Sequence, residues 1–337
     1  MIRDAIATVI AARDLTEDEA TAVMEEMMSG EATPAQLAAF LTALRLKGET
    51  VDEIAGMARV MRAKASRLSC EGALLDTCGT GGDASGTFNV STAAAFVAAA
   101  AGARVAKHGN RAMSSRCGSA DVHEALGAKA DVSPEGAASC LKQTGFCFMF
   151  APRFHPAMRH AAGPRREIGI RTVFNILGPL CNPAGATRQV LGVADESLGE
   201  KMAQVLARLG CEHALIVHGV EGLDEVSPAG PSRVWEMKEG GVERYQVSPS
   251  NAGLALHPLS SVGGNTPADN ARMLRSVLGG ERGALRDFTL LNAAAGLIAF
   301  DLAADLARGV AKAAAAIDDG KALAKLDHFI EVSNATG

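Results

Sequence analysis

Polar segments built from small, hydrogen-bonding residues recur in one part of the chain, and several of them directly follow an apolar run. They are residues 76–83 (DTCGTGGD), 89–92 (NVST), 107–111 (KHGNR) and 118–121 (GSAD). Backbone amides of glycine, hydroxyl groups and a lysine are the groups that proteins use to bind phosphate oxygens. Their close succession indicates a site for a phosphorylated molecule.

The first segment contains three glycines in four positions, Gly79, Gly81 and Gly82. Without a Cβ, the backbone turns tightly and approaches a ligand closely, with its amides free to face anionic oxygens. Asp83 has no basic neighbour in this loop, so we expect it to accept hydrogen bonds from hydroxyls or from the water shell of a metal ion.

The second and third segments extend this prediction. Asn89, Ser91 and Thr92 precede an alanine-rich run, so they are expected at the start of a helix. The free amides and the dipole of a helix N-terminus favour a bound anion. Lys107 and Arg111 are predicted to supply the compensating positive charge.

A glycine-rich loop by itself is a weak motif, since many such loops are ordinary turns. Residues 79–83 are not followed by the Lys-Ser/Thr pair of a Walker A loop, and the glycine spacing of a dinucleotide-binding fold is also absent. The convergence of several such segments therefore carries the phosphate-site interpretation.

In this order, the segments GTGGD, NVST, KHGNR and GSADVHEALG resemble the anthranilate phosphoribosyltransferase family, whose members join anthranilate to 5-phosphoribosyl 1-diphosphate. The resemblance extends to residues 148–156 (FMFAPRFHP), 164–183 and 222–225 (GLDE), and so covers most of the chain. Two positions depart from the family pattern: His123 replaces an aliphatic residue and Phe154 replaces a histidine.

The resemblance implies a site for the phosphoribosyl donor that uses all of the polar segments, together with a Mg²⁺ ion for the diphosphate. The implied donor-binding residues are Gly79, Gly82, Asp83, Thr87, Asn89, Val90, Ser91, Thr92, Lys107 and Ser119. The implied metal-binding residues are Ser91, Asp224 and Glu225. Without the resemblance, an Asp-Glu pair in a loop is most often a solvated turn.

The resemblance also implies a site for anthranilate, an aromatic amine with an ortho carboxylate. Its residues are Gly79, His108, Asn110, His155 and Arg165, where the guanidinium of Arg165 is suited to the carboxylate. No general base is assigned, because an aniline nitrogen can attack with its own lone pair and lose the proton later. The nearby Arg153 and Arg159 are expected to be solvated.

Two other functions are alternatives to the transferase activity that the resemblance implies. Pyrimidine nucleoside phosphorylases share the architecture, but the sequence Lys107-His108-Gly109-Asn110 fits the transferase better. A non-catalytic relative that binds nucleic acid would need a basic groove and a degraded site. The net charge of −5 and the presence of Arg165 disfavour that relative.

The composition predicts a soluble, cytoplasmic protein with no nucleic-acid or membrane partner. Of the 337 residues, 48% are hydrophobic and 21% are charged, and the net charge of −5 gives no general attraction to nucleic acid. The seven cysteines show no C-x-x-C pair, which is typical of thiols in a reducing compartment. No apolar run approaches the ~20 residues that a membrane span needs.

Residues 1 to about 65 are predicted to form several amphipathic helices. Thr16, Thr33 and Thr50 are each followed three residues later by Glu or Gln, which is the spacing of a capping box. Apolar residues behind them recur at intervals of three and four, and Gly30 and Gly48 end the first two helices. Such helices have more apolar surface than a small domain buries, so a dimer contact is expected, as the family resemblance also implies.

After residue 70, apolar runs alternate with helical segments, which predicts a mostly parallel sheet with ligands at the carboxyl ends of its strands. Residues 233–238 and 242–247 are predicted to form a hairpin, and the alanine-rich residues 292–326 are predicted to be helices packed on the sheet. The predicted parallel strands are residues 73–75, 103–106, 145–150, 189–193 and 214–218.

The predicted fold class is α/β: a small N-terminal helical domain and a larger domain with a mostly parallel central sheet covered by helices, as in nucleoside phosphorylases and phosphoribosyltransferases. The helical domain is expected to comprise residues 1–68 with a returning segment at about 155–185, and the α/β domain residues 69–337. A homodimer through the helical domain is implied by the resemblance.

Overall fold

The computed structural model describes residues 1–112 and 116–336. The N-terminal helices are α1 (Ile2–Ile10), α2 (Glu17–Ser29), α3 (Pro34–Lys47) and α4 (Val51–Ala63). All three predicted capping boxes are confirmed. In α2, α3 and α4 the threonine side chain accepts from the backbone N–H of the third helical residue, and the side chain of that residue accepts from the backbone N–H of the threonine. These reciprocal bonds explain where each helix begins.

Seven strands form one sheet in the order β3-β2-β1-β4-β5-β6-β7. The five neighbouring strands β3, β2, β1, β4 and β5 are parallel to one another. Strand β6 is antiparallel to both β5 and β7, and β6 and β7 form the predicted hairpin. The strands are β1 (Leu75–Gly79), β2 (Val105–Gly109), β3 (Phe146–Phe150), β4 (Arg188–Gly192), β5 (His213–Gly219), β6 (Ser232–Lys238) and β7 (Gly241–Val247).

The order of the strands reverses between β1 and β4, because the chain adds β2 and β3 on one side of β1 and then returns to place β4 on its other side. In parallel α/β sheets the crevice at such a switch point is where ligands bind. The loop that follows β1 is the glycine segment 79–83, so the fold places the predicted phosphate loop at this crevice.

Helices cover both faces of the sheet and connect its strands. Helix α13 (Ala284–Ala299) packs against α5 (Val90–Ala100), α14 (Leu306–Asp318) and the central strands. This confirms the prediction that the C-terminal alanine-rich region packs on the sheet as helices, and the region is divided among three of them. The remaining helices are α5 (Val90–Ala100), α6 (Ser119–Ala125), α7 (Pro134–Thr144), α8 (Ala151–Phe154), α9 (Arg159–Ile168), α10 (Phe174–Leu177), α11 (Leu198–Arg208), α12 (Pro267–Leu278), α13 (Ala284–Ala299), α14 (Leu306–Asp318) and α15 (Lys321–Ala335).

The predicted boundaries of two strands were wrong in the same direction. The strand predicted at residues 73–75 runs from Leu75 to Gly79, and the strand predicted at 103–106 runs from Val105 to Gly109. The polar residues Asp76 and Lys107 therefore lie inside central strands, where both are almost completely buried. Hydrogen bonds satisfy them there, and hydrophobicity alone does not reveal such bonds.

Buried apolar side chains form two clusters, one on each face of the sheet. One contains α5, α13 and much of β1 to β3. The other joins the N-terminal helices to α11 and to the opposite face of β4, β5 and β6. Side chains of the segment 161–181 also belong to this second cluster, and α9 packs on α2 and α3. Among the described residues, no helix is long and apolar enough to cross a membrane.

His123, one of the two departures from the family pattern, lies at the centre of an aromatic cluster. Its ring is 4.4 Å from that of Phe148 and 5.5 Å from that of Phe329, between ring centroids. Neither ring nitrogen has a hydrogen-bond partner among the described residues. Burial, and to a smaller extent the charge of Lys107, lowers the pKa of His123 to about 3. The ring is therefore buried and neutral, with an unsatisfied N–H group.

We predict that His123→Leu stabilises the protein by about 1–3 kcal/mol at neutral pH, because it removes unsatisfied polar atoms from an apolar site. The gain should increase as the pH falls below about 6.5, where the unfolded histidine takes up a proton that the folded one refuses until about pH 3. Unfolding midpoints of both proteins at pH 8 and pH 5.5 measure this. The exposed His328→Leu serves as the control, and an unchanged or lowered midpoint for His123→Leu would contradict the prediction.

Candidate functional site

The glycine loop after β1 is shaped by contact with Asp224, a residue of the loop that follows β5. Gly81 and Gly82 have φ angles of 62° and 83°, which favour glycine. The Gly81 N–H donates to Oδ2 of Asp224 at 2.7 Å. A Cβ on Gly79 would collide with the same carboxylate, so glycine at this position allows the close approach. The predicted donor loop and the predicted metal-binding pair thus meet.

Lys107 is the buried cation of this site. It is 2% exposed, and its ammonium donates to the carbonyl of Thr77 in β1 and to the hydroxyl of Ser91, 3.2 Å away, at the start of α5. Burial lowers the pKa of Lys107, while the negative charges of Asp76 and Glu225 oppose the shift. Lys107 therefore links three predicted site elements, β1, β2 and the N-terminus of α5.

The N-terminus of α5 presents polar groups that the protein itself does not satisfy. Asn89 precedes the helix without capping it; its backbone N–H donates to Asn270 and its side-chain amide to the carbonyl of Cys117. The side-chain oxygens of Asn89 and Thr92 are buried without a hydrogen-bond partner among the described residues. Unsatisfied groups at a helix N-terminus fit a ligand that carries oxygen atoms.

The carboxylates of Asp83, Asp224 and Glu225 lie close together in this site, and Glu225 is also close to Lys107. Burial, followed by the charge of Asp83, raises the pKa of Asp224 to about 7. Burial and the charge of Asp224 raise the pKa of Glu225 well above its ordinary value, and only Lys107 opposes this shift substantially. The hydroxyl of Ser85 donates to Asp83. The cluster therefore carries more negative charge than the protein compensates.

The donor set fits Mg²⁺ in one specific sense. In residues 1–112 and 116–336, no three His, Cys, Asp or Glu side chains form a group able to hold a metal ion. Mg²⁺ commonly binds one or two carboxylates and completes its coordination with water and substrate phosphates. Burial raises the pKa values of Asp224 and Glu225, helped by the charge of Asp83 at Asp224 and by the charge of Asp224 at Glu225. The two carboxylates match that kind of partial protein site.

The two predicted acceptor histidines lie side by side. The ring centroids of His108, in β2, and His155, which follows α8, are 5.0 Å apart. Burial lowers the pKa of His108 to about 3, with a further contribution from His155, and burial lowers the pKa of His155 to about 4. Each Nε2 atom is buried without a partner among the described residues. The pair is therefore neutral at physiological pH.

Arg165 and Asn110 are placed differently. Arg165, on α9, stacks over the ring of Phe174 with 4.9 Å from Cζ to the ring centroid, and no carboxylate pairs with it within the described part of the chain. Asn110 is exposed, and its carbonyl accepts from the hydroxyl of Ser119 at 3.3 Å. No described hydrogen bond or ring contact joins either residue to the other predicted acceptor residues.

One predicted cation, Arg111, is paired within the protein, and its role toward a bound phosphate stays a prediction. Arg111 was expected to compensate the charge of a bound phosphate, but its exposed guanidinium forms ion pairs with Asp121 at 3.2 Å and with Glu124 at 2.6 Å. Both partners lie on α6, one turn apart, so the charge of Arg111 is already neutralised by a neighbouring helix. Thr87 lies at an isolated bridge with Gly263, which closes the loop that begins at Gly79.

Sequence reasoning missed the roles of Asp76, Asn182 and Gly192, which hold the strands and the Asp224 loop of the site in place. Asp76 accepts from the backbone N–H of His108 at 3.2 Å and from the side chain of Asn182 at 2.8 Å, and burial raises its pKa to about 6. A Cβ on Gly192 would collide with the backbone of Asp224. Only a glycine at the end of a predicted strand hinted at this close approach, and nothing in the sequence pointed to Asn182.

Arg171 was also missed as a member of the site. Its Nη2 donates to the carbonyl of Thr80 at 2.9 Å, and its guanidinium lies where a Cβ on Gly82 would be. The segment 151–185 contains five arginines, and their spacing does not distinguish Arg171 from the solvated ones.

Comparison with known proteins gives a consistent result. Residues 3–65 match the model of the glycosyl transferase family, helical bundle domain, and residues 71–323 match that of the glycosyl transferase family, a/b domain. Anthranilate phosphoribosyltransferases of Chloroflexus aggregans and Roseiflexus castenholzii are each 58% identical to this chain, over 98% and 99% of its length and 98% of theirs.

Two solved structures are similar along almost their whole length. The crystal structure of anthranilate phosphoribosyltransferase from Thermus thermophilus has a TM-score of 0.93 and 46% identity, and the match covers 98% of this chain and 99% of that one. The enzyme from Saccharomyces cerevisiae, in complex with PRPP and Mg, has a TM-score of 0.91 and 31% identity, over 99% of this chain and 98% of that one.

Proposed function

We propose a residue-level mechanism for this chain, which belongs to the anthranilate phosphoribosyltransferase family. The chain transfers the phosphoribosyl group of 5-phosphoribosyl 1-diphosphate to the amino group of anthranilate, which gives N-(5-phosphoribosyl)anthranilate and pyrophosphate in tryptophan biosynthesis. The phosphorylase and the nucleic-acid-binding relative are not favoured, because the two near-full-length relatives at 58% identity described above are transferases of this kind.

The single observation that carries the mechanism is the meeting of the glycine loop with Asp224 at the switch point of the sheet. We assign the phosphoribosyl donor to this crevice. Its support is the left-handed backbone of the loop, the unsatisfied oxygens at the start of α5 and the buried charge of Lys107. The assigned residues are Gly79, Gly82, Asp83, Thr87, Asn89, Val90, Ser91, Thr92, Lys107 and Ser119.

Mg²⁺ is the proposed cofactor, and Asp224, Glu225 and Ser91 would hold it, either directly or through its water. The ion supplies charge neutralisation for the diphosphate leaving group. The protein's own contribution is the crowding of carboxylates, whose raised pKa values show that each destabilises the charge of the next. Asp224 and Glu225 would be held in their charged forms by a cation bound between them.

The reaction breaks the bond between the anomeric carbon and the diphosphate oxygen and forms a bond from that carbon to the amine nitrogen. Arg165 would hold the anthranilate carboxylate, since its guanidinium has no carboxylate partner among the described residues. The neutral His108 and His155 would accept hydrogen bonds through their unsatisfied Nε2 atoms, and Gly79 and Asn110 complete the acceptor site. The amine attacks with its own lone pair, and its proton leaves to solvent afterwards.

The domain division is part of the same proposal: residues 1–68 with 155–185 form the helical domain and residues 69–337 the α/β domain. The observation behind it is that the returning segment shares buried contacts with α2 and α3.

We also propose a cytoplasmic homodimer through the helical domain. Its support is the exposure of large apolar side chains there, 70% for Ile10 and 83% for Leu46.

The test of the function follows anthranilate fluorescence and pyrophosphate release together, with and without a chelator of Mg²⁺. We expect both signals in equal amounts and the loss of both on chelation. Asp224→Asn combined with Glu225→Gln should reduce turnover by at least about a hundredfold, because the neutral amides that replace the two carboxylates attract the cation much less strongly. A double variant with unchanged dependence on Mg²⁺ concentration would remove the metal assignment, and Glu221→Gln in the same loop is the control.

Arg165→Ala is predicted to raise the KM for anthranilate by at least about tenfold, because the carboxylate loses a bidentate charged partner. The KM for the donor should change little. Steady-state kinetics with each substrate varied in turn separate the two effects. Arg166→Ala, which removes an exposed neighbour on the same helix, is the matched control. Equal losses for donor and acceptor would show that Arg165 has a different role.

Leu46→Asp is predicted to dissociate the proposed dimer, because an exposed leucine becomes a charge at a surface that the second copy would cover. Light scattering measures the mass of both proteins at equal concentration. Leu256→Asp, which changes an exposed leucine of the α/β domain, should leave the mass unchanged. A wild-type protein that is monomeric at all concentrations would refute the dimer.

A further inference from the structure

A separate cavity of about 170 Å³ lies between the helical bundle and the glycine loop. Arg45 of α3 and Glu49 of the following loop form one wall, and Thr80 and Gly82 of the glycine loop form another. Residues 171–176 and the start of α11 close it. Gly82 belongs to the proposed donor site, and Thr80 and Arg171 shape the glycine loop; the other lining residues have no part in the donor, acceptor or metal sites proposed above.

Two polar groups of this cavity lack partners inside the protein. Glu49 is only 5% exposed, yet among the described residues its carboxylate accepts no hydrogen bond and forms no ion pair. Thr172 is 4% exposed, and its hydroxyl is buried without a hydrogen-bond partner in the described structure. The backbone carbonyl of Glu49 accepts from the ammonium of Lys201, but the carboxylate faces the cavity, unpaired within the described part of the chain. Glu49 is therefore placed to take a cationic or N–H group of a ligand.

The opposite charge is also present. Arg171 uses one N–H group on the carbonyl of Thr80 at 2.9 Å, and within the described residues no carboxylate pairs with it or with Arg45. Asp195, the other acid of the cavity, is already bonded by the backbone and the hydroxyl of Ser197, at 3.0 and 2.7 Å. The hydroxyl of Ser197 and, to a smaller extent, the charge of Arg45 lower the pKa of Asp195, so Arg45 lies near this acid without forming an ion pair among the described residues. The cavity therefore offers the guanidinium groups of Arg171 and Arg45 and the unpaired carboxylate of Glu49.

We propose that this cavity binds a small zwitterion, a molecule of the α-amino acid class that carries one ammonium and one carboxylate. Glu49 takes the ammonium, Arg45 and Arg171 take the carboxylate, and the Thr172 hydroxyl donates or accepts one further hydrogen bond. A volume of about 170 Å³ limits the ligand to about the size of a small amino acid, since a cavity of about 150 Å³ holds one benzene ring.

A ligand in this cavity would restrict the movement of the glycine loop. Arg171 bonds the carbonyl of Thr80 and lies against Gly82, so a ligand that holds its guanidinium also restrains this loop. If the loop binds the phosphoribosyl donor, the two ligands affect each other's affinity by the same factor. This coupling rests on the proposed function, whereas binding of the zwitterion does not.

The experiment titrates the unliganded full-length protein with L-alanine, L-serine and L-leucine by calorimetry, and with acetate and methylamine as probes that carry one charge each. We expect at least one amino acid to bind at least about tenfold more tightly than either single-charge probe. Glu49→Gln and Arg45→Met should each weaken that binding by at least about tenfold. Glu31→Gln, an exposed glutamate of the same helical region, is the matched control.

Three outcomes would overturn the proposal: no binding of any amino acid, equal binding of a single-charge probe, or undiminished binding in both Glu49→Gln and Arg45→Met. Because Arg45 is exposed, its variant keeps the test valid even if the buried Glu49→Gln fails to fold. The coupling is measured separately, as a change in the donor KM on addition of the amino acid. Since the titration needs no turnover, its result is independent of whether the transferase assay succeeds.

Discussion

The site depends on one close contact, in which the carboxylate of Asp224 accepts the Gly81 N–H at 2.7 Å. It joins the loops that follow two different strands, β1 and β5, across the switch point of the sheet. Glycine at positions 79 and 192 makes the contact possible, since a Cβ at either position would collide with Asp224. This approach of the Asp224 loop to the glycine loop and to β4 gives the crevice its shape.

That contact concentrates negative charge that the protein balances only in part. Desolvation raises the pKa values of Asp76, Asp224 and Glu225, and the charge of Lys107 opposes the shifts of Asp76 and Glu225. A site held in this state favours ligands that bring their own cation and offer phosphate oxygens to hydroxyls and amides. In the proposed function, this electrostatic imbalance prepares the crevice for a diphosphate with its metal ion.

The helical bundle contributes to the site through its packing against the sheet. Its buried side chains share a cluster with α11, with one face of the sheet and with the segment that carries Arg165 and Arg171. That segment lies between the two parts of the fold, so Arg165 is available for an acceptor while Arg171 holds the glycine loop. The proposed zwitterion cavity is a consequence of the same arrangement, because its walls come from both parts.

The sequence by itself determined the features that depend on neighbours a few residues away. The capping boxes at Thr16, Thr33 and Thr50, the hairpin of β6 and β7 and the glycine loop were all predicted, because their hydrogen bonds or backbone angles are local. The alternation of apolar runs and helices was enough for the fold class. Strand boundaries failed at Asp76 and Lys107, where long-range hydrogen bonds make burial of polar residues possible.

Only the tertiary structure decided which charged residues are paired. Arg111 and Arg171 both follow glycine-containing segments, yet Arg111 is neutralised by α6 whereas Arg171 reaches the glycine loop. Glu49 looks like an ordinary loop acid in the sequence, and its isolation appears only when distant elements enclose it. The physical reason is that Coulomb energies depend on distance and burial in space, and separation along the chain determines neither.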